Sequence, residues 1–291
     1  MEVFGIPETD WIRLQKEHTE WQDDLKALDI IPLWPQGPPG FRKEYGQEEP
    51  KICLLSEISQ AKGIVLVCAG GAFYMKSVFE GRVVADKFAE YGYQGAVLDY
   101  RCRPYSIWQM LDDVQRAIRV LRLWGKKRGI ENITLCGFSA GGHLASLAAV
   151  RYRNANLYDG DEADRMSSRP DAVIQGYGAI EYSNIDKLLQ ENFTEEEKSA
   201  LTPGVQVDEN TPPFFMWMTG EDEIIQRNVF LRMAKALEDA HVPYELHLFQ
   251  KGIHGIGLAD GTSKYGMADP HAAQWLKLSC EWLENMKKDV R

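Results

Sequence analysis

The stretch Gly137-Phe138-Ser139-Ala140-Gly141-Gly142 decides how this chain folds. It follows directly on the apolar run 133–136 and comes directly before a segment with helical periodicity, so the pattern is strand, sharp turn, helix. A serine at such a turn needs small residues two positions before and two positions after it, because larger side chains would clash where the backbone turns so tightly. Gly137 and Gly141 meet that requirement. The stretch therefore predicts a serine hydroxyl held up at the end of a strand.

Short apolar runs alternate with longer amphipathic segments along the rest of the chain. Each run is nearly continuous in apolar residues, which is typical of strands buried on both faces. The predicted strands are 64–68, 95–100, 133–137, 172–177, 214–219 and 244–249, and the predicted helices are 76–90, 107–124, 140–151, 227–240 and 271–286. This alternation predicts an α/β fold, a doubly wound and mostly parallel sheet flanked by helices on both faces.

No repeat or flexible linker divides the chain, and its 291 residues predict a single domain over 1–291. The first fifty residues are rich in Trp, Pro and Gly, and we interpret 1–50 as an N-terminal strap. The least regular stretch, 182–213, is long for a loop and is expected to carry a helix of its own. We interpret it as a small insertion near the C-terminal edge of the sheet, where the active sites of such folds lie.

The overall charge limits the classes of partner. A formal net charge of -10 argues against nucleic acid and membrane surfaces, because both require a concentrated basic surface. The five cysteines are an odd number without a CxxC pair or a zinc-like spacing to a histidine, so we predict no metal site. The acidic N-terminus lacks the apolar core of a signal peptide, which favours a cytoplasmic protein. The oligomeric state is left open, with a homo-oligomer as one alternative.

A second glycine-containing turn, Cys68-Ala69-Gly70-Gly71-Ala72-Phe73, also follows a predicted strand. Glycines there let the main chain come close to a substrate carbonyl, so a backbone amide of this loop is expected to form part of an oxyanion hole. Gly71 and Ala72 are the candidates for that amide, and Ala140, next to the serine, is the candidate for the second. The alternative is an ordinary turn that joins a strand to a helix.

A serine hydroxyl becomes a good nucleophile when a histidine takes its proton and a carboxylate orients that histidine. Of the six histidines, His254 stands in a glycine-flanked loop directly after the last predicted strand, where such a base is expected. The preceding predicted strand ends in Gly220-Glu221-Asp222-Glu223. We predict Asp222 as the acid, in the chain order serine, acid, histidine, with Glu221 as its nearest competitor.

Together these residues resemble the acetyl esterase and lipase-like branch of the α/β-hydrolases, which includes acetyl-xylan and related carbohydrate deacetylases. The likeness covers nearly the whole chain. It is carried by Ile31-Pro32-Leu33-Trp34-Pro35, Cys68-Ala69-Gly70-Gly71-Ala72, Asp99-Tyr100-Arg101, 113–119, 137–145 and Lys251-Gly252-Ile253-His254-Gly255. This chain departs from the family where relatives have His-Gly-Gly-Gly or Pro-Gly-Gly-Gly, and at Asp222-Glu223-Ile224-Ile225-Gln226, where relatives have Asp-x-Val-Val-Pro.

The resemblance implies an α/β-hydrolase fold and a serine esterase that hydrolyses short acyl esters, often acetyl groups on sugars, without a metal or organic cofactor. Trp108 and Trp217 are then candidate sugar-stacking walls, against the alternative that both belong to the core. A prolyl-oligopeptidase-like peptidase and an arylformamidase use the same machinery and are alternative functions. A catalytically dead hydrolase fold that serves as an interaction module is the non-enzyme alternative.

Overall fold

Strands β3 to β10 form one sheet at the centre of the fold. The computed structural model describes residues 2–3, 6–158, 160–189, 191–263 and 266–286. The strands are β1 Glu2–Val3, β2 Ile6–Pro7, β3 Asp29–Pro32, β4 Lys51–Leu54, β5 Ile64–Cys68, β6 Gln94–Asp99, β7 Ile133–Phe138, β8 Ala172–Gly176, β9 Phe214–Thr219 and β10 Tyr244–Phe249. The sheet order is β10-β9-β8-β7-β5-β6-β4-β3, while β1 pairs only with β2. The strands from β10 to β6 in that order are parallel, and β4 and β3 are antiparallel to their neighbours.

The six predicted strands are confirmed, and their ends agree with the structure to within one residue. Every residue of β5 to β9 is buried, which explains their nearly continuous apolar sequences. β10 lies at the edge of the sheet, and most of its residues are only half-buried. β3 and β4 were not predicted, because each has four residues and gains its place by pairing with a distant strand.

Helices cover both faces of the sheet, as the sequence predicts. They are α1 Glu8–Leu25, α2 Arg82–Glu90, α3 Ile107–Lys126, α4 Ser139–Val150, α5 Tyr182–Leu189, α6 Glu195–Ala200, α7 Arg227–Asp239 and α8 Gln274–Met286. α2 contacts α8 through the rings of Phe88 and Trp275, whose centroids are 6.2 Å apart, and α3 packs against α4. None of the helices in the described ranges is long and apolar enough to span a bilayer.

Helix α2 begins six residues later than the sequence predicts. Residues 76–81 do not continue it, since a short 3-10 turn, Val78–Glu80, is followed by Gly81 with φ -104° and ψ -113°. A Cβ on Gly81 would lie 2.6 Å from the ring of Trp21, so a glycine is needed at this crossing. The amphipathic pattern that begins at residue 76 therefore comes from the burial of this short 3-10 segment, and α2 does not extend over residues 76–81.

Helix α1 lies within the segment interpreted as a strap and was not predicted. It buries Leu14, His18, Trp21 and Leu25, a stripe with helical spacing. The Trp21 indole donates a hydrogen bond to Asp99 at the end of β6, with a distance of 2.9 Å. This contact holds α1 against the carboxyl edge of the sheet. Residues 1, 4 and 5 of the strap and residue 190 of the 182–213 stretch lie outside the described residues.

The order of the parallel strands changes direction at β5. The chain leaves β5 for β6 on one side, and β7 lies on the other side of β5, so the strand order reverses there. In open α/β sheets the crevice at such a reversal, outside the carboxyl ends of the strands, is where ligands bind. The five cysteines are free and buried: Cys53, Cys68, Cys102, Cys136 and Cys280.

Candidate active site

The turn at Ser139 has the sharp geometry that its neighbouring glycines predict. β7 ends at Phe138 and α4 begins at Ser139, whose φ of 48° lies in the left-handed region that non-glycine residues seldom adopt. A Cβ on Gly141 would lie 2.1 Å from the carbonyl oxygen of Cys68, and a Cβ on Gly137 would lie 2.5 Å from that of Gly141. The strained serine is therefore held where two glycines let adjacent backbone segments approach.

The structure brings Ser139, His254 and Asp222 together in one hydrogen-bonded chain. His254 Nε2 lies 2.8 Å from Ser139 Oγ, and His254 Nδ1 lies 2.8 Å from Asp222 Oδ2. Because a carboxylate oxygen accepts hydrogen bonds, Nδ1 carries the ring proton and Nε2 is left to accept the proton of the serine hydroxyl. The Asp222 side chain is fully buried and that of His254 is 13% exposed, so the histidine forms the surface that a substrate meets.

Asp222, and not Glu221, is the carboxylate that faces the histidine. Its second oxygen, Oδ1, accepts hydrogen bonds from the amides of Ile224 and Ile225 at 2.9 and 2.8 Å, which fixes the orientation of the carboxylate. Glu221 points outward, where it accepts hydrogen bonds from Lys251 at 2.6 Å and from a backbone amide of the next loop. The hydrogen bond from Lys251 lowers the pKa of Glu221.

Gly71, Ala72 and Ala140, the residues whose backbone amides are the oxyanion candidates, line the same cavity as Ser139. Gly71 and Ala72 follow β5 with φ values of 137° and 55°, and Ala140 is the second residue of α4, where amides have no partner inside the helix. A Cβ on Gly71 would lie 2.2 Å from the carbonyl oxygen of Met75, so this loop conformation requires a glycine. The preceding amide, of Gly70, is already engaged by a carboxylate and is not available to a substrate.

A cavity of about 590 Å³ opens at these residues. Its size is within the range of roughly 300–1,000 Å³ that is usual for small-molecule sites. Its walls come from α1, the loop after β5, helix α5 and the loop after β9. The apolar wall residues include Ile6, Leu14, Met75, Phe79, Leu188 and Ile225, and the polar ones include Asp10, Arg13, Ser77 and Asn184, together with Ser139 and His254.

Neither Trp108 nor Trp217 is among the described walls of this cavity. Trp217 is fully buried in β9, where its ring stacks on Trp275 of α8 with centroids 5.0 Å apart. Trp108 lies near the start of α3, with the Arg151 guanidinium 5.5 Å from its ring centroid. The structure therefore does not bring the two tryptophans to the described walls of this cavity, and the Trp217 ring is turned toward α8.

Part of the cavity wall comes from residues that the sequence did not predict to be there. Helix α1, which contributes to the wall, was not predicted because most of its residues are polar, although the spacing of Leu14, His18 and Trp21 is typical of a helix. Glu80 and Tyr177, both buried beside the site, gave no signal that separates them from ordinary members of a helix and a strand end. Their contacts depend on residues far apart in the chain.

Comparison with known proteins identifies the family. The model of the BD-FAE family matches residues 52–237, which is more than half of the chain. The chain belongs to the BD-FAE family. The match contains the serine turn, the β5 loop and Asp222, whereas His254 follows its end.

Proteins similar to this BD-FAE chain include a xylanase and an acetylxylan esterase. Endo-1,4-beta-xylanase B of Butyrivibrio fibrisolvens is 30% identical over 240 residues, or 78% of this chain and 38% of its own length. Acetylxylan esterase of Xylanibacter ruminicola is 24% identical over 236 residues, again 78% of this chain and 47% of its own length. The chain thus spans less than half the length of both curated relatives.

A solved structure extends the likeness to the fold. The acetyl ester-xyloside bifunctional hydrolase of Caldicellulosiruptor lactoaceticus superposes with a TM-score of 0.80 at 31% identity, covering 89% of this chain and 96% of that one. An α/β hydrolase from a deep-sea metagenome library superposes with a TM-score of 0.68 at 26% identity. The α/β-hydrolase fold predicted from the sequence is confirmed.

Proposed function

We propose that this protein is a serine-dependent carboxylic ester hydrolase that removes short acyl groups, acetyl above all, from carbohydrate esters. The observation that carries the proposal is the hydrogen-bonded chain from Ser139 Oγ through His254 to Asp222, with 2.8 Å at each step, at the base of an open cavity. The names of the acetylxylan esterase and the acetyl ester-xyloside hydrolase support the acetyl and carbohydrate parts.

In the proposed reaction, Ser139 Oγ attacks the ester carbonyl carbon while His254 Nε2 takes the hydroxyl proton. Negative charge then develops on the carbonyl oxygen. This oxygen accepts hydrogen bonds from the Ala140 amide and from the amide of Gly71 or Ala72. Losing one such donor typically costs about a hundred- to a thousandfold in rate. These N–H groups belong to the backbone, so their orientation is fixed before the charge develops on the oxygen.

The second half of the reaction reuses the same groups. His254 gives its proton to the leaving alcohol, and the acyl group stays on Ser139 Oγ as an ester. Water enters, loses a proton to His254 Nε2 and attacks the acyl carbon; the bond from that carbon to Ser139 Oγ then breaks, the carboxylic acid leaves, and His254 returns the proton to the serine oxygen. Asp222 stays a carboxylate throughout and stabilises the imidazolium in both halves.

The first test is hydrolysis of p-nitrophenyl acetate by the native protein and by Ser139→Ala. We expect turnover in the native protein and loss of kcat by about a millionfold in the variant, to the level of the oxyanion amides alone. Circular dichroism and the melting temperature check that the variant is folded. Undiminished turnover in a folded Ser139→Ala variant would refute the proposal.

The second test separates the substrates. A panel of acetyl to octanoyl esters measures the acyl preference, and acetylated xylo-oligomers, a prolyl peptide and N-formylkynurenine distinguish the esterase from its two enzyme rivals. We expect the highest kcat/KM for acetyl esters and the lowest for the prolyl peptide. Preference for the peptide or for N-formylkynurenine would replace the esterase assignment while keeping the serine mechanism.

A further inference from the structure

Glu80 is a buried carboxylate that the proposed reaction does not use. It ends the short turn Val78–Glu80 between the β5 loop and α2, and its side chain is 2% exposed. One oxygen accepts a hydrogen bond from the Gly70 amide at 2.8 Å, and the other accepts one from the Tyr177 hydroxyl at 2.6 Å. Burying a carboxylate is costly unless it is hydrogen-bonded, and here each oxygen has a donor.

Tyr177 extends this contact to the loop after β10 that carries His254, the histidine loop (250–257). It follows β8 directly, is fully buried, and has a φ of 35°, an unusual value for an aromatic residue. Its hydroxyl oxygen accepts a hydrogen bond from the amide of Gly257 at 2.9 Å, three residues after His254. Its ring also contacts the His254 ring edge to face, with centroids 5.1 Å apart.

We propose that Glu80 and Tyr177 are positioning residues that hold the loop after β5 with its candidate oxyanion amides (the oxyanion loop, 69–73) and the histidine loop at a fixed separation for catalysis. The inference rests on the proposed function, since it assigns the purpose of that fixed separation. Three hydrogen bonds in series connect Gly70, Glu80, Tyr177 and Gly257. Glu80 lies in the wall of the cavity that Ser139 and His254 line, with its side chain almost fully buried, whereas Gly70, Tyr177 and Gly257 are not among the described wall residues.

The oxyanion side of this chain determines where the donor amides point. The Gly70 amide lies directly before Gly71, so its bond to Glu80 fixes the plane of the peptide that leads into the donor segment. Ala72 and Phe73 follow with φ values of 55° and 67°, conformations that persist only where surrounding contacts over-determine them. Without the carboxylate, the loop can relax and turn the donor amides away from the carbonyl oxygen.

Two variants remove different bonds of the chain. In Glu80→Gln, the amide offers one oxygen and one NH2 group, so only one of the two donors, the Gly70 amide or the Tyr177 hydroxyl, keeps its acceptor. In Tyr177→Phe, the ring stays against His254, while the hydroxyl bonds to Glu80 and Gly257 are lost. The matched control is Tyr93→Phe, because Tyr93 is also a buried tyrosine but is not one of the four residues that these hydrogen bonds connect.

We expect Glu80→Gln and Tyr177→Phe each to lower kcat by about ten- to a hundredfold with KM changed by less than about threefold, because orientation matters most in the transition state. Since the chain acts as one unit, the double variant should be at most about threefold slower than the slower single variant. Tyr93→Phe should leave kcat unchanged. Losses that multiply in the double variant, or unchanged kcat in folded single variants, would overturn the inference.

A probe that does not depend on the ester keeps the two proposals separable. Fluorophosphonate labelling of Ser139 uses the same oxyanion amides, so the labelling rate should fall in both variants by a similar factor, even if the acetyl substrate is wrong. If the native protein neither labels nor hydrolyses esters, the proposed function fails, and amide NMR still tests the chain. Glu80→Gln should then shift the Gly257 amide resonance and Tyr177→Phe the Gly70 resonance, whereas shifts confined to direct partners would contradict the inference.

Discussion

Replacing Asp222 with asparagine tests the histidine orientation with almost no change in shape. Oδ1 of Asp222 accepts two backbone amides, from Ile224 and Ile225. The asparagine must therefore keep its carbonyl oxygen at that position, because a flipped amide would set an NH2 group against two N–H donors. Each lost hydrogen bond would cost about 1–3 kcal/mol. The NH2 group consequently points at His254 Nδ1.

The magnitude follows from the tautomer that this orientation imposes. An NH2 group donates, so Nδ1 of His254 must become the acceptor and Nε2 must carry the ring proton. Nε2 then donates to Ser139 Oγ and cannot take the serine proton. The same exchange in other serine hydrolases lowers kcat by about 10⁴, which corresponds to about 5.5 kcal/mol in the activation free energy. KM should change little, because the cavity walls are untouched.

Steady-state hydrolysis of p-nitrophenyl acetate at neutral pH measures this effect, with the melting temperature as a check on folding. The matched control is Glu221→Gln, which removes the exposed ion pair to Lys251 and leaves His254 untouched. Its kcat should stay within about threefold of the native value, since exposed pairs contribute little. A folded Asp222→Asn variant that keeps more than about a tenth of the native kcat, or a Glu221→Gln variant whose kcat falls as far as that of Asp222→Asn, would contradict this role of Asp222.

Three further predictions concern stability. Gly141→Ala puts a methyl group 2.1 Å from the Cys68 carbonyl oxygen, so the serine turn must distort, and we expect a lower melting temperature together with lost activity. Asp113→Asn weakens the buried pair with Arg101, which should lower the free energy of unfolding in urea by about 3–5 kcal/mol and leave kcat of the folded enzyme unchanged. Burial lowers the pKa of His143 to about 4 from its ordinary 6.5, so the folded state favours the neutral ring. Between pH 4 and 6.5 the unfolded chain therefore binds more protons at this residue than the folded protein does. The free energy of unfolding is highest above pH 6.5 and falls by about 3 kcal/mol at most as the pH is lowered toward 4.

Each of these predictions has a control. Gly204→Ala should be tolerated, because its nearest contact would be 3.7 Å, with the Met233 sulfur. A folded Asp113→Asn variant with reduced kcat would contradict its structural role. His143→Asn retains a donor for the Ala179 carbonyl oxygen, 2.5 Å from Nδ1, and cannot titrate. Equal loss of stability in acid for His143→Asn and the native protein would contradict the pH argument.

The parts of the fold with local sequence signals could be predicted. The strands β5 to β9 are nearly continuous apolar runs because both of their faces are covered, and that pattern can be recognised without knowing which strands pair. Ser139 and His254 stand in glycine-containing turns that directly follow β7 and β10, so their positions at one edge of the sheet follow from the parallel topology. The sequence left Glu221 as an alternative to Asp222, because neighbouring carboxylates differ in the direction of their side chains, and only the structure shows that Asp222 faces His254 while Glu221 faces Lys251.

The parts that depend on distant partners could not be predicted. Helix α1 has a polar sequence, and its place at the cavity depends on the bond from Trp21 to Asp99, which are 78 positions apart. The link from Glu80 to Tyr177 spans 97 positions. Trp217 shows the converse, since a tryptophan that could stack on a sugar is turned into the core by the alternation of its strand.

Mass spectrometry of the native protein after reaction with a fluorophosphonate shows whether Ser139 is an activated nucleophile, because the reagent forms a stable bond only with an activated serine. We expect a single phosphonyl adduct on the peptide that contains Ser139, absent from Ser139→Ala and formed far more slowly in Asp222→Asn. A folded protein that stays unlabelled, or an adduct on a different serine, would rule out the proposed role of Ser139.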